Sequence, residues 1–256
     1  MFGTTTGRLS SEKPNLQNIP NKTEMGQKIR EFFVADSKHT FVIADYSQIE
    51  LRVLAHLSDD KNMINMLKNR DADIHSETAA KVFNTNIDSV TKDMRRKAKE
   101  VNFGLIYGME SFGLSKSLDI TKKEADELIK AYFGQFPKIK GFLEKIVVDA
   151  TKNTYTETLY GRKRFIRELS SSNFQVKAMG KRIAMNAPIQ GTASDIMKIA
   201  MIKLIKKLSP LESTNLLLQI HDEIIIQTPK VLSDKVSNIM QKEMEDSSSL
   251  KVPLFV

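Results

Sequence analysis

The sequence predicts an α+β fold: a small antiparallel sheet that carries acidic residues, interrupted by a long and mostly helical insertion. Three observations lead there. A short apolar run, Phe41-Val42-Ile43-Ala44, ends on Asp45. Far downstream, two apolar runs at residues 216–220 and 224–226 flank the polar residues His221-Asp222-Glu223. Between them, from about residue 59 to 190, the apolar positions recur mainly at helical spacing.

The elements follow in order. Phe41 to Ala44 reads as a buried strand, and Ile49, Val53, Leu54 and Leu57 then fall on one helical face. Helices are expected over 92–107, 121–133, 138–152 and from Phe174 onward, with Pro137 and Pro188 as breaks and a restart after Gly191 that runs to about Leu208. Residues 153–166 combine β-favouring Tyr and Thr with a turn at Gly161. The 216–226 segment predicts a hairpin with a three-residue polar tip. Residues 230–245 form a last amphipathic helix, and Ser247-Ser248-Ser249 a short loop.

With 256 residues and 41% hydrophobic content, the chain can bury a sizeable core. No stretch approaches the roughly 18 consecutive apolar residues of a membrane span, and the N-terminus lacks signal-peptide features. Cysteine is absent, which excludes disulfides and thiolate chemistry and restricts any metal to oxygen or imidazole ligands. A formal charge of +8 favours a polyanionic partner, because each neutralised phosphate releases counterions.

A carboxylate at the end of a buried strand suits a hard cation such as Mg²⁺, which takes oxygen ligands and fills its shell with substrate phosphates. Asp45 and Asp222 are placed for this, although either acid taken alone reads more readily as a solvated strand end. Arg95, Lys99, Phe103 and Tyr107 recur every four residues and form one helical stripe roughly 18 Å long. It is cationic at its N-terminal end and aromatic at the other, the same polarity as a nucleoside triphosphate with its anionic tail and stackable base. Ala98, Val101 and Leu105 lie on another face, suited to the core.

Asp45-Tyr46-Ser47-Gln48-Ile49-Glu50-Leu51-Arg52 and Gln219-Ile220-His221-Asp222-Glu223 resemble motifs A and C of the polymerase I-like family A DNA polymerases. The segment from Arg95 to Gly108 resembles motif B, the fingers helix that receives the incoming nucleotide. Residues 6–11, 14–20 and 186–193 resemble the flanking family segments, so the likeness runs in order from about Thr4 to Val256.

The resemblance implies a polymerase palm over residues 1–55 and 191–256, with the second part C-terminally truncated, and helical fingers over 56–190. It implies template-directed addition of deoxynucleotides to a primer 3′-hydroxyl by two-metal nucleotidyl transfer, with two Mg²⁺ ions for which Mn²⁺ can substitute. Asp45, Tyr46 and Asp222 are then the metal residues. Asp45, Asp222, Glu223 and Lys99 are the catalytic set, Glu223 acting through the surroundings of the metals.

Arg95, Lys99, Phe103, Tyr107, Glu50, His75 and Gln48 are expected to bind the nucleotide. Among them Arg95 and Lys99 contact the triphosphate, His75 lies near the β-phosphate, and Glu50 excludes a 2′-hydroxyl. Phe at position 103 implies discrimination against dideoxynucleotides. Arg8, Gln17, Asn18, Arg182, Asn186, Gln190 and His221 are expected at the DNA, His221 also holding the hairpin tip. Minor-groove contacts of this kind check base-pair geometry without reading sequence. The basic turn Gly161-Arg162-Lys163-Arg164, with Arg167, is a candidate grip on template phosphates.

Two departures from the family pattern stand out. No thumb precedes the Arg8 segment, where Met1-Phe2-Gly3 resembles a cut start, and residues 250–256 stop inside what resembles the final palm strand. The expected protein is therefore a thumb-less palm-and-fingers portion without a proofreading exonuclease: a cytoplasmic monomer of bacterial or phage origin, an organellar source remaining open, whose partners are primer–template DNA and deoxynucleoside triphosphates. One alternative is a fragment that binds both with little turnover. Another is a single-subunit RNA polymerase, against which Glu50 and the Phe103/Tyr107 pair argue.

Overall fold

The computed structural model describes residues 4–20 and 23–256; Met1-Phe2-Gly3 lies outside them. The chain divides into two compact units. The first comprises Met1–Ile49, Ser194–Ser249 and Leu254–Val256, and the second Glu50–Ala193 and Leu250–Pro253.

The first unit contains α1 (Glu24–Glu31) and the strand β1 (His39–Asp45). The second contains α2 (Ile49–Ser58) beyond its first residue, α3 (Lys61–Met66), α4 (Ile74–Val82), α5 (Lys92–Ile106), α6 (Ser111–Leu118), α7 (Lys122–Gln135), α8 (Pro137–Asn153) and the hairpin β2 (Tyr155–Glu157) and β3 (Lys163–Phe165). Helix α9 (Phe174–Leu208) begins in the second unit and ends in the first, which continues through β4 (Asn215–Ile220), β5 (Glu223–Pro229) and α10 (Ser233–Glu245).

The sheet of the first unit has the order β1-β5-β4, antiparallel throughout. Val42 and Ala44 of β1 pair with Ile226 and Ile224 of β5, and those two isoleucines are fully buried. Helix α10 lies against β1 and β5 and buries Val236, Met240 and Met244. Strand alternation turns Ile43 the other way, leaving it 54% exposed.

Three features depart from the sequence reading. The hairpin tip is a two-residue turn rather than three, because Glu223 pairs with Ile220 and with Asp45 and so belongs to β5. His221 takes the left-handed conformation (φ 54°) that such tight turns demand. Secondly, α9 runs unbroken through Pro188. An interior proline deletes a hydrogen bond and costs about 3 kcal/mol in an isolated helix. Here Ala184, Ala187, Ile189, Thr192 and Ile196 are all buried around it, and that packing outweighs the local penalty. Thirdly, residues 250–256 form no strand; the Phe255 carbonyl instead accepts from the Ser47 amide at 2.8 Å.

In the second unit α4 packs on α5 and α7, α6 on α7, and α8 on α7 and β2. Tyr132 and Phe136 are completely buried with ring centroids 5.0 Å apart. Thr121 and Glu124 form a reciprocal capping box at the start of α7. Gly161, at φ 80°, makes the β2–β3 turn, a conformation that favours glycine. The basic residues beside it are largely built into the packing. Arg162 donates to the Gly191 carbonyl at 2.9 Å, Lys163 lies 4.4 Å from the Tyr155 ring centroid, and burial lowers the half-buried Arg164 against the pull of Glu168. Arg167 is exposed, and Lys163 stays exposed above the Tyr155 ring, so these two keep the open surface expected of a phosphate grip.

Candidate active site

The antiparallel register of the first unit brings its acids together. Asp45 ends β1 directly opposite Glu223, and the next amide, Tyr46 N–H, donates to the Asp222 carbonyl at 3.0 Å. Burial raises the Asp222 carboxyl and Asp45 raises it further, against the pull of Arg8 and His221. Solvent reaches Asp45, yet its surroundings displace enough water to raise it too, with Glu223 adding repulsion and His221 opposing. Two mutually repelling, partly desolvated carboxylates at one strand end attract a cation.

Arg8, Leu9, Ser194, Met197, Lys198, Gln219, His221 and Asp222 line one shallow recess. The Gln17 amide donates to the Gln219 carbonyl at 3.1 Å and thus braces β4, while Gln219 donates in turn to the His221 carbonyl. Asn18 is exposed in a short 3₁₀ turn. The Tyr46 phenol points into the core, donating to the Met244 carbonyl at 2.8 Å and sharing a hydrogen bond with Ser247, so any part it takes at a cation falls to its main chain. Gln48, at φ 54°, turns the chain into α2.

The second unit holds the α5 stripe. Arg95, Lys99 and Tyr107 are exposed and Phe103 is half-buried, while Ala98, Val101 and Leu105 are buried on another face. Thr91 caps the helix by accepting from the Met94 amide at 3.2 Å. The Tyr107 hydroxyl donates to Glu50 Oε2 at 2.8 Å, which fixes a glutamate that is only 4% exposed. Gly108, at φ 69°, leaves the space where Arg182 crosses the end of the stripe: a Cβ there would meet Arg182 Cγ at 3.0 Å. Arg182, Asn186 and Gln190 follow one another at four-residue spacing along α9, whose Ala184, Ala187 and Ile189 are buried.

Two residues without a role in the sequence reading shape this end of the second unit. Asp73 caps α4 by accepting from the His75 and Ser76 amides, and grips Arg95 with both oxygens at 2.6 and 3.2 Å. Burial works to raise the Asp73 carboxyl, but hydrogen bonds from Arg95 and Ser76 outweigh it and hold it well below the usual carboxylate range. An acid just ahead of a helical run is a cap signal that the sequence does carry.

Asn102 is the other. It sits fully buried on the apolar face of α5, and its amide nitrogen lies 3.3 Å from His75 Nδ1 and 3.1 Å from Thr78 Oγ1. His75 is 3% exposed, its ring 5.7 Å from that of Phe103. Burial, together with the charges of Arg95 and Lys99, pushes its pKa down to about 4 against the pull of Asp73. Its Nε2 has no hydrogen-bond partner among the described residues, a situation that costs about 1–3 kcal/mol.

The sequence profile of DNA polymerase family A matches residues 1–256, the whole chain. The chain belongs to DNA polymerase family A. DNA polymerase I of Caldicellulosiruptor bescii is 49% identical over 255 residues, 99% of this chain and 30% of that protein. DNA polymerase I of Bacillus subtilis is 48% identical over 255 residues, again 99% of this chain and 29% of the relative. The POL domain of Pol1 from M. smegmatis, solved in complex with DNA primer-template and dNTP, is similar with a TM-score of 0.93 at 41% identity, over 98% of this chain and 44% of that one. This family A chain therefore spans about 30% of the length of the curated relatives it matches. Among its described residues no helix is long and apolar enough to cross a membrane.

Family A DNA polymerases generally use divalent metals. Among the described residues no three His, Asp or Glu side chains gather around a common point. The donor set at the end of β1 nonetheless fits a hard divalent cation. Asp45 and Asp222 offer oxygen ligands and mutual repulsion for a cation to relieve, and Mg²⁺ characteristically takes one or two carboxylates plus substrate phosphates and water.

Proposed function

We propose that this chain is the palm-and-fingers part, residues 1–55 with 191–256 and residues 56–190, of a template-directed DNA polymerase that adds deoxynucleotides to a primer 3′-hydroxyl by two-metal nucleotidyl transfer. The observation that carries this reading is the register that sets Asp45 opposite Glu223 and beside the main chain of Asp222. Asp45 and Asp222 hold the divalent cations, Mg²⁺ in the first place. Bound there, the cations supply charge neutralisation for the attacking and leaving oxygens.

The chain's own residues do the rest. Arg95 and Lys99 take the triphosphate, the N-terminal end of α5 adding its dipole, and Phe103 and Tyr107 take the sugar and base. Glu50, buried and fixed by the Tyr107 hydroxyl, is positioned by that bond to exclude a 2′-hydroxyl. Arg8, Arg182, Asn186 and Gln190 contact the primer–template. Asp73 competes with the triphosphate for Arg95, but an exposed ion pair is worth only about 0–1 kcal/mol, so the polyanion prevails.

Primer extension in Mg²⁺ with each of the four deoxynucleotides and the four ribonucleotides tests the reading. Addition of the complementary deoxynucleotide alone is expected. Untemplated addition, or ribonucleotides used at parity, would reject it.

A further inference from the structure

We propose that Asn102 is a positioning residue: it fixes the His75 imidazole with its proton on Nε2, so that the ring presents one N–H donor to a phosphate oxygen of the nucleotide. The ligand half of this proposal rests on the nucleotide-binding reading above. The tautomer half does not.

A side-chain amide nitrogen carries two hydrogens and accepts nothing. Asn102 Nδ2 faces His75 Nδ1 and Thr78 Oγ1, so both must accept. A neutral imidazole that accepts at Nδ1 carries its proton at Nε2.

Turning the amide over would reverse this, so the orientation has to be decided. As placed, both amide hydrogens are used, and the groups without a partner among the described residues are Oδ1 and the single His75 Nε2–H. Reversed, Oδ1 would be satisfied and two buried N–H donors would be orphaned instead. A buried carbonyl oxygen without a partner is better tolerated than unpaired N–H groups, which favours the first arrangement.

The far side of the ring then matters. Nε2 is closed off from solvent and has no partner among the described residues. Arg95 and Lys99 lie near enough for their charges to act on the ring, with Asp73 as the opposing acid. A neutral donor in this setting strengthens an oxyanion site without adding a third positive charge to repel Arg95 and Lys99 while the site is empty. Asn102 therefore acts on the nucleotide only through His75.

Long-range ¹H–¹⁵N correlation spectra of the full chain test the proposal, with His75→Gln identifying the signal. The expected parent spectrum shows a neutral His75 protonated at Nε2, whose resonance moves when a deoxynucleoside triphosphate is added. Asn102→Asp, nearly isosteric, places a carboxylate opposite Nδ1 and should draw a proton onto it. In single-nucleotide extension, the same variant should raise the nucleotide KM about tenfold while kcat changes by less than about twofold. Thr78→Val removes the amide's other partner, and should leave both tautomer and KM in place.

A parent ring protonated at Nδ1 overturns the proposal, as does an Nε2–H tautomer that survives in both Asn102→Asp and Asn102→Leu. A Thr78→Val effect equal to that of Asn102→Asp makes Asn102 a packing residue and overturns it as well. If the tautomer is as expected but the nucleotide neither moves the signal nor binds His75→Gln more weakly, the ligand half falls. That outcome points to the nucleotide reading, not to Asn102.

Discussion

His75 makes the folded chain sensitive to acid in a window set by one buried ring. Burial first, then Arg95 and Lys99, push its pKa from 6.5 down to about 4, Asp73 alone opposing. Because the folded pKa is depressed, the unfolded chain binds the proton at a higher pH. The contribution is therefore fully present above about pH 6.5 and is lost as pH falls towards 4. At about 1.4 kcal/mol per pKa unit, complete loss amounts to about 3 kcal/mol, and between pH 7.5 and 5.5 it is about 1 kcal/mol. Urea unfolding followed by far-ultraviolet circular dichroism, at both pH values, for the parent and His75→Gln measures it. The parent should lose about 1 kcal/mol more than the variant over that interval, since other titrating groups cancel in the difference. Equal losses would show that His75 is neither held neutral nor desolvated as the structure places it.

Asp73→Asn keeps a cap for α4 but removes the charge that competes for Arg95, so the KM for nucleotide should fall by up to about fivefold in single-nucleotide extension; a rise would mean that Asp73 presents Arg95 to the substrate. Glu50→Ala opens the space over the sugar and frees Tyr107, and competition between deoxy- and ribonucleotides should show increased ribonucleotide incorporation. An unchanged ratio would remove Glu50 as the sugar filter. Thr121→Ala breaks the capping box of α7 and should lower unfolding free energy by about 1 kcal/mol in urea titrations, without altering nucleotide KM.

Much of this arrangement is legible in sequence because it depends on local periodicity. The apolar run to Asp45, the stripe at 95, 99, 103 and 107, and the amphipathic α10 each declare themselves within a few turns of chain. What escapes depends on partners distant in sequence. The continuity of α9 through Pro188 follows from buried neighbours, against the local preference of proline. Glu223 reads as part of a polar tip until β1 is known to lie opposite it. Asp73 carries a local cap signal, but its pairing with Arg95 appears only once α4 packs on α5. Asn102 is a single polar residue on an apolar face, a signal visible in the sequence, but its meaning waits on His75 and Thr78 from another helix. At the basic turn at 162–164, a charge run that suggests a phosphate grip in sequence is partly taken up by its own packing.

The central claim is that Asp45 and Asp222 together make this unit chemically competent. Single-turnover nucleotide addition in Mg²⁺, compared for the parent, Asp45→Asn and Asp222→Asn at saturating nucleotide, tests it most directly. Each variant should lose about a thousandfold in rate or more, the equivalent of about 4 kcal/mol of charge stabilisation, while keeping the parent's circular dichroism. A variant that adds nucleotide at the parent's rate would contradict the assignment.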